Sequence, residues 1–211
     1  DRDLPAPAGC IHYKLRNCVS RRVTAQPFDD FNALGHRCPE VPPAFYQVSL
    51  VQVPGGGGME YPMLAFCGAR PRPLGDDASA AEIEQGYSDG VKWALVSVTI
   101  HEVGHNFFPM IVNSDERQWT WMDEGLNTFM QFMAEQEWDR NYPSRRGPAH
   151  KIVPYMRSEK QYLEPIMTNS ENIIQFGPNA YAKPATALNI LRETVMGREL
   201  FDFAFKEYAR R

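Results

Sequence analysis

From Gln47 to Val53 the chain reads Gln-Val-Ser-Leu-Val-Gln-Val. Polar and apolar residues alternate for most of that length, and a period of two predicts a strand with one buried face. Pro54 and the glycines Gly55 to Gly58 are expected to end it, and for Gly55 and Gly56 a flexible loop is the expected role. A second short strand is expected over Met63 to Cys67, followed by a loop through Pro71, Pro73, Gly75, Asp76 and Asp77. From about Ala78 the period lengthens. Ser88 and Asp89 can cap a helix that runs to about Phe108, with Pro109 as its stop. Leu126, Phe129, Met130 and Met133 fall at helical spacing and predict a helix from Met122 to about Trp138. A third helix is expected near Pro148 to Ser158, and a fourth from Asn179 to Met196. Pro184 is tolerable in the first turn of the fourth, and Gly197 suits the position just past its end. Arg198 to Arg210 is amphipathic, with Leu200, Phe201, Phe203, Ala204 and Phe205 supplying its apolar side. Strands first and helices after define an α+β chain.

Residues 1 to about 44 carry neither period. Pro, Arg and Cys recur there without pattern, so the segment reads as irregular and separate from residues 45–211. Ten of the 17 prolines and all four cysteines lie in the first 73 of 211 positions, which reinforces that division. Cys10, Cys18, Cys38 and Cys67 form no CxxC pair, and their spacing selects no disulfide pairing. The net charge of −4 lacks the basic excess of a nucleic-acid binder. No apolar run approaches the ~20 residues that span a bilayer. The first residues, Asp1-Arg2-Asp3-Leu4-Pro5, show no basic segment followed by an apolar one, so no signal peptide is expected in this chain.

The chemistry concentrates in His101-Glu102-Val103-Gly104-His105, an HExxH motif inside the first long helix. Positions i and i+4 share a helix face, so two imidazoles there can hold one zinc ion at ~2.0–2.1 Å. Glu102 adjoins the first histidine and suits a general base for a zinc-bound water. Catalytic zinc takes a third protein ligand and keeps one position open. Glu124, in Trp121-Met122-Asp123-Glu124-Gly125, follows His105 after 18 residues, and the intervening Pro109 to Thr120 gives the chain room to turn back. Thr128 and Asp123 are candidates to support the ligands, Asp123 alternatively as a helix cap. His12, His36 and His150 have no partner spacing and read as surface residues.

HExxH, 18 residues and Glu together resemble the zinc signature of the M1 family of gluzincin metallopeptidases. Upstream, Gly57-Gly58-Met59-Glu60 is similar to that family's Gly-x-Met-Glu-Asn motif. Downstream, Tyr181-Ala182-Lys183-Pro184, with Leu188, Leu191-Arg192 and Gly197, is similar to the segment bearing its catalytic tyrosine. The resemblance covers roughly Tyr46 to Arg211. It implies a thermolysin-like (gluzincin) catalytic domain, with a small, mainly antiparallel sheet in its N-terminal part and helices in its C-terminal part. It implies one Zn2+ on His101, His105 and Glu124, with Glu102 activating water and Tyr181 donating to the oxyanion of a tetrahedral intermediate. Glu60 would anchor a substrate's free α-amine, beside Gly57, Gly58 and Met59 as substrate-binding backbone. The implied activity is removal of N-terminal residues from peptides.

The match has departures. Tyr61 replaces the family's Asn, Pro184 stands where Gly is common, and the family normally continues past the point matching Arg211 into a helical region. The same residues also fit a zinc-stabilised interaction module or inactive fragment, or a zinc endopeptidase or other hydrolase on this scaffold. The resemblance favours an exported bacterial enzyme acting on peptides with a free N-terminus. Residue specificity and oligomeric state have no signal in the sequence.

Overall fold

The computed structural model describes residues 23–24, 47–69 and 74–210. The expectations for residues 1–44 lie outside the described residues, apart from Val23 and Thr24. The chain divides into two compact units, Asp1–Asn106 and Phe107–Arg211.

The first unit is a sheet with helices. Its strands are β1 (Val23–Thr24), β2 (Gln47–Gln52), β3 (Gly56–Tyr61) and β4 (Leu64–Ala69), in the order β1-β2-β4-β3. The sheet is mixed: β1 pairs antiparallel with β2, β2 parallel with β4, and β3 antiparallel with β4. The parallel pairing requires the chain leaving β2 to cross the end of β4 before returning as β3. Glycine makes that crossing possible. Gly55 and Gly57 have φ of 103° and 82°, and a Cβ on Gly68 would lie 2.8 Å from the Gly55 carbonyl oxygen. Gly55 lies in a bend between the strands, as expected, but the rest of the glycine run is strand and not loop. Gly56, Gly57 and Gly58 pair in register with Ala69, Gly68 and Cys67.

A two-residue turn, Pro62-Met63, joins β3 to β4. Met63 sits at φ 60°, in the left-handed region, and its N–H donates to Asn106 Oδ1 at 3.2 Å. Two helices complete the unit, α1 (Ala80–Gln85) and α2 (Asp89–Gly104). Ser79 and Glu82 close a capping box on α1, and Ser88 Oγ accepts the Val91 N–H at the start of α2. Val96, Ile100 and Val103 are buried on α2, at the spacing that faces one side, and α2 packs on β4 and β3. Ala65 and Cys67 are buried on alternate positions of β4. α2 ends at Gly104, four residues before the expected end, where the Asn106 N–H and Nδ2 both bond the Val103 carbonyl.

The second unit is helical. Its main elements are α3 (Glu124–Trp138), α4 (Ala149–Met156), α5 (Lys183–Ile190) and α6 (Arg198–Arg210). Wider π-type turns flank α5, Gly177–Ala182 before it and Leu191–Val195 after it. The expected fourth helix thus exists, but is α-helical only in its middle. Phe129, Ala185 and Phe201 form the core, with Met130, Met133, Leu188, Met196 and Phe205 packed around it. Phe129 meets Phe201 and Phe205 edge-on, each at 5.5 Å. On α6 only Phe201 and Phe205 turn inward. Leu200 and Phe203 are exposed, because 100° per residue places them off the i, i+4 face. Arg192 clamps Asp202 through two hydrogen bonds of 2.6 and 2.9 Å. No helix among the described residues is long and apolar enough to cross a membrane.

Two glycines of this unit separate strain from crowding. Gly147 has φ 98°, and a Cβ there would lie 2.4 Å from Phe132 Cγ, whereas Gly197 has φ 80° and open space around it. Gly147→Ala is expected to lower unfolding free energy by about 2–4 kcal/mol, from strain and overpacking together. Gly197→Ala should lower it by only about 1 kcal/mol, from strain alone. Denaturant unfolding checks this, and equal losses would contradict it.

Candidate metal centre

In the first unit α2 and its C-cap residue present His101, Glu102 and His105, with 9%, 4% and 1% of their surface exposed. The two Nε2 atoms stand 3.1 Å apart, with the rings at 89° to one another. Two nitrogens at ~2.0–2.1 Å from one tetrahedral zinc ion lie about 3.3 Å apart, so the pair already has the spacing of two zinc ligands. The donor set fits the metal in chemistry as well, since neutral imidazole is a favoured zinc ligand.

β3 brings a second carboxylate to the same place. Glu60, Glu102 and His105 each offer one ligand-capable atom within 4.8 Å of the others. Gly58 permits this closeness, because a Cβ there would lie 2.3 Å from Glu102 Oε1. Strand alternation turns Gly58 and Glu60 to one face and the exposed Met59 to the other. Gly57, at φ 82°, continues the strand on the outer edge of the sheet, where one row of backbone groups points away from β4. Tyr61 packs edge-on against Phe66 at 5.5 Å, one residue beyond Glu60.

Asn106 is the residue of this unit that the motif reading missed. It is buried directly after His105, and it ties the β3–β4 turn to the end of the histidine helix through Met63 and Val103. Its one sequence signal is a polar side chain at the head of the apolar pair Phe107-Phe108.

In the second unit Glu124 opens α3, and the Tyr181 hydroxyl donates to its Oε1 at 2.7 Å. Tyr181 lies in the π-type turn Gly177–Ala182, a distortion that often marks functional positions. Gly125 lets the two segments meet: a Cβ there would lie 2.5 Å from Pro184 Cγ and 3.0 Å from the Ala180 carbonyl oxygen. Pro184, a departure from the family pattern, thus packs against the residue after Glu124. Glu164 secures the approach to Tyr181. Its carboxylate accepts the Ile174 and Gln175 N–H groups at 2.7 and 2.8 Å, and Lys183 donates to its carbonyl. Asn179 Nδ2 donates to the Pro165 carbonyl at 2.7 Å. Neither Glu164 nor Asn179 belongs to a motif.

The Tyr181 ring carries the Arg146 guanidinium 4.2 Å from its centroid and meets Phe176 edge-on at 5.9 Å. Burial pushes the Tyr181 phenol far above its ordinary pKa. The Glu124 charge and hydrogen bond add to the rise, and Arg146 opposes it. Burial pulls Arg146 down from its ordinary value, against the attraction of Tyr181, Glu124 and Glu135. Asp123 stands at the N-cap of α3 without a side-chain cap bond. Thr128 is buried, and its Oγ1 has no hydrogen-bond partner among the described residues. His150 is exposed.

Two buried imidazoles beside a buried carboxylate offer the donor chemistry of a zinc site. The model of the Peptidase family M1 domain matches residues 44–211, so the chain belongs to peptidase family M1, a zinc metallopeptidase family. No curated protein and no solved structure matches the chain significantly. The sheet-then-helix order expected from the pattern is the catalytic-domain fold of that family.

The raised pKa of Tyr181 has a measurable consequence. Below about pH 10 the phenol is neutral folded or unfolded, and above it the unfolded chain ionises first, so this contribution to stability fades as pH rises. Between about pH 9 and 11, the folded, metal-free protein and its Tyr181→Phe variant should show the same phenolate absorbance. An additional tyrosine titrating there in the parent would contradict the environment described.

Proposed function

We propose that the chain is a zinc aminopeptidase, with one zinc ion held by His101, His105 and Glu124. The observation that carries the reading is the 3.1 Å convergence of the two imidazole nitrogens beside the buried Glu102. A site that only stabilised an interaction module would gain nothing from burying a carboxylate next to its ligands. The reading takes Glu124 as the third ligand, because HExxH, 18 residues and Glu resemble the zinc signature of the family.

The zinc ion, when bound, polarises the scissile carbonyl and makes a water acidic enough to attack at neutral pH. Glu102 accepts the proton of the attacking water and returns it to the leaving amine. Tyr181 moves its hydrogen bond from Glu124 to the developing oxyanion, and its raised pKa keeps the hydroxyl protonated for that task. The outer edge of β3 receives the substrate backbone as an added strand, with Gly57 and Gly58 allowing close approach. Glu60 pairs with the substrate's α-ammonium. Its place beside Glu102 and His105 sets the cut at the first peptide bond, because an ammonium held there puts that carbonyl next to the base.

Glu102→Gln is expected to keep its zinc and lose turnover by at least about 10²-fold, measured by metal analysis and aminoacyl fluorogenic substrates. Retained turnover would sink the mechanism. Glu60→Ala should raise KM for peptides with a free amine and leave N-acetylated peptides unaffected. An equal effect on both would point to an endopeptidase.

A further inference from the structure

Arg146 belongs to no motif, yet the fold delivers it to the face of Tyr181. The segment after α3 turns back at Tyr142, which is buried, and two fixed points flank the arginine. On one side Ser144 Oγ donates to Glu135 Oε2 at 2.6 Å. Glu135 is itself buried, and it accepts Gln131 Nε2 at 2.6 Å. On the other side Gly147 is seated on Phe132, and its carbonyl accepts Asn189 Nδ2 at 3.3 Å. Between these anchors the Arg146 guanidinium lies 4.2 Å from the Tyr181 ring centroid, inside the ~6 Å range of a cation–π contact. Arg145, its neighbour, is exposed.

We propose that Arg146 is a positioning residue for Tyr181. The guanidinium on the ring face and Phe176 at the ring edge fix the plane of the phenol, so its hydroxyl stays aimed along the line now taken by Glu124. A cation over the ring also draws density from it, which strengthens the O–H as a donor when charge develops on an oxyanion. Arg suits both tasks, since its planar fork stacks where an ammonium cannot. The catalytic half of this inference rests on the role proposed for Tyr181 above; the positioning half concerns only residues of the second unit.

Two arms test it. In metal-free protein labelled with 13C at tyrosine Cζ, Tyr181→Phe assigns the Tyr181 resonance. Arg146→Met should shift and broaden that resonance, and Arg145→Met should leave it in place. In the zinc-loaded protein Arg146→Met should lower kcat about 10-fold with KM little changed and zinc content intact. In a Tyr181→Phe background the same substitution should add less than about 2-fold, because the residue it acts through is gone. Arg146→Lys keeps a cation over the ring and should retain more turnover than Arg146→Met. An unmoved Tyr181 resonance, independent effects of the two substitutions, or the reverse order of Lys and Met overturns the proposal. A parent protein without zinc-dependent hydrolysis would sink the aminopeptidase reading alone, and the resonance would still decide the positioning of Tyr181.

Discussion

Two imidazole nitrogens stand 3.1 Å apart on a buried helix face, within hydrogen-bonding distance and at the spacing of two ligands of one metal ion. With one proton between them they make a single hydrogen bond, and a divalent cation there would make two bonds, one to each ring. The first unit is arranged around that pair. α2 carries His101 and Glu102 and ends at His105, its C-cap; Asn106 closes the helix end, and the glycine strand lies close enough for Gly58 to touch Glu102. A side chain at Gly58 would occupy the space of the Glu102 carboxylate.

The second unit solves a related problem for one carboxylate. Glu124 begins a helix, where the dipole favours negative charge, and Tyr181 gives it a hydrogen bond. The bond depends on a close approach of α3 to the Tyr181 segment, which Gly125 allows by accepting Pro184 where a side chain would stand. Arg146 lies over the Tyr181 ring, and Glu164 bonds the backbone of the segment that leads to it.

How much of this was legible depended on how local the signal is. HExxH, Glu124, Gly57-Gly58-Met59-Glu60 and Tyr181 stand out because helix spacing and short motifs are written in neighbouring residues. The helix from Glu124 was visible from Leu126, Phe129, Met130 and Met133 for the same reason. The glycine strand was not, because it has no alternation of its own. It forms because β4 lies beside it and Gly68 leaves room for the crossing at Gly55. The parallel pairing of β2 with β4 was hidden likewise, since a chain crossing leaves no periodic trace. Asn106 and Arg146 act through contacts 43 and 35 positions away, with Met63 and Tyr181, and a single sequence does not announce such pairs.

The central claim is one zinc ion on His101, His105 and Glu124, and metal affinity tests it most directly. The parent protein should bind one zinc per chain, and Glu124→Ala should weaken that binding by at least about 10²-fold when titrated against a competing chelator, because a three-ligand site has become a two-ligand one. A Glu124→Ala protein that binds zinc as tightly as the parent would remove Glu124 from the site and contradict the account.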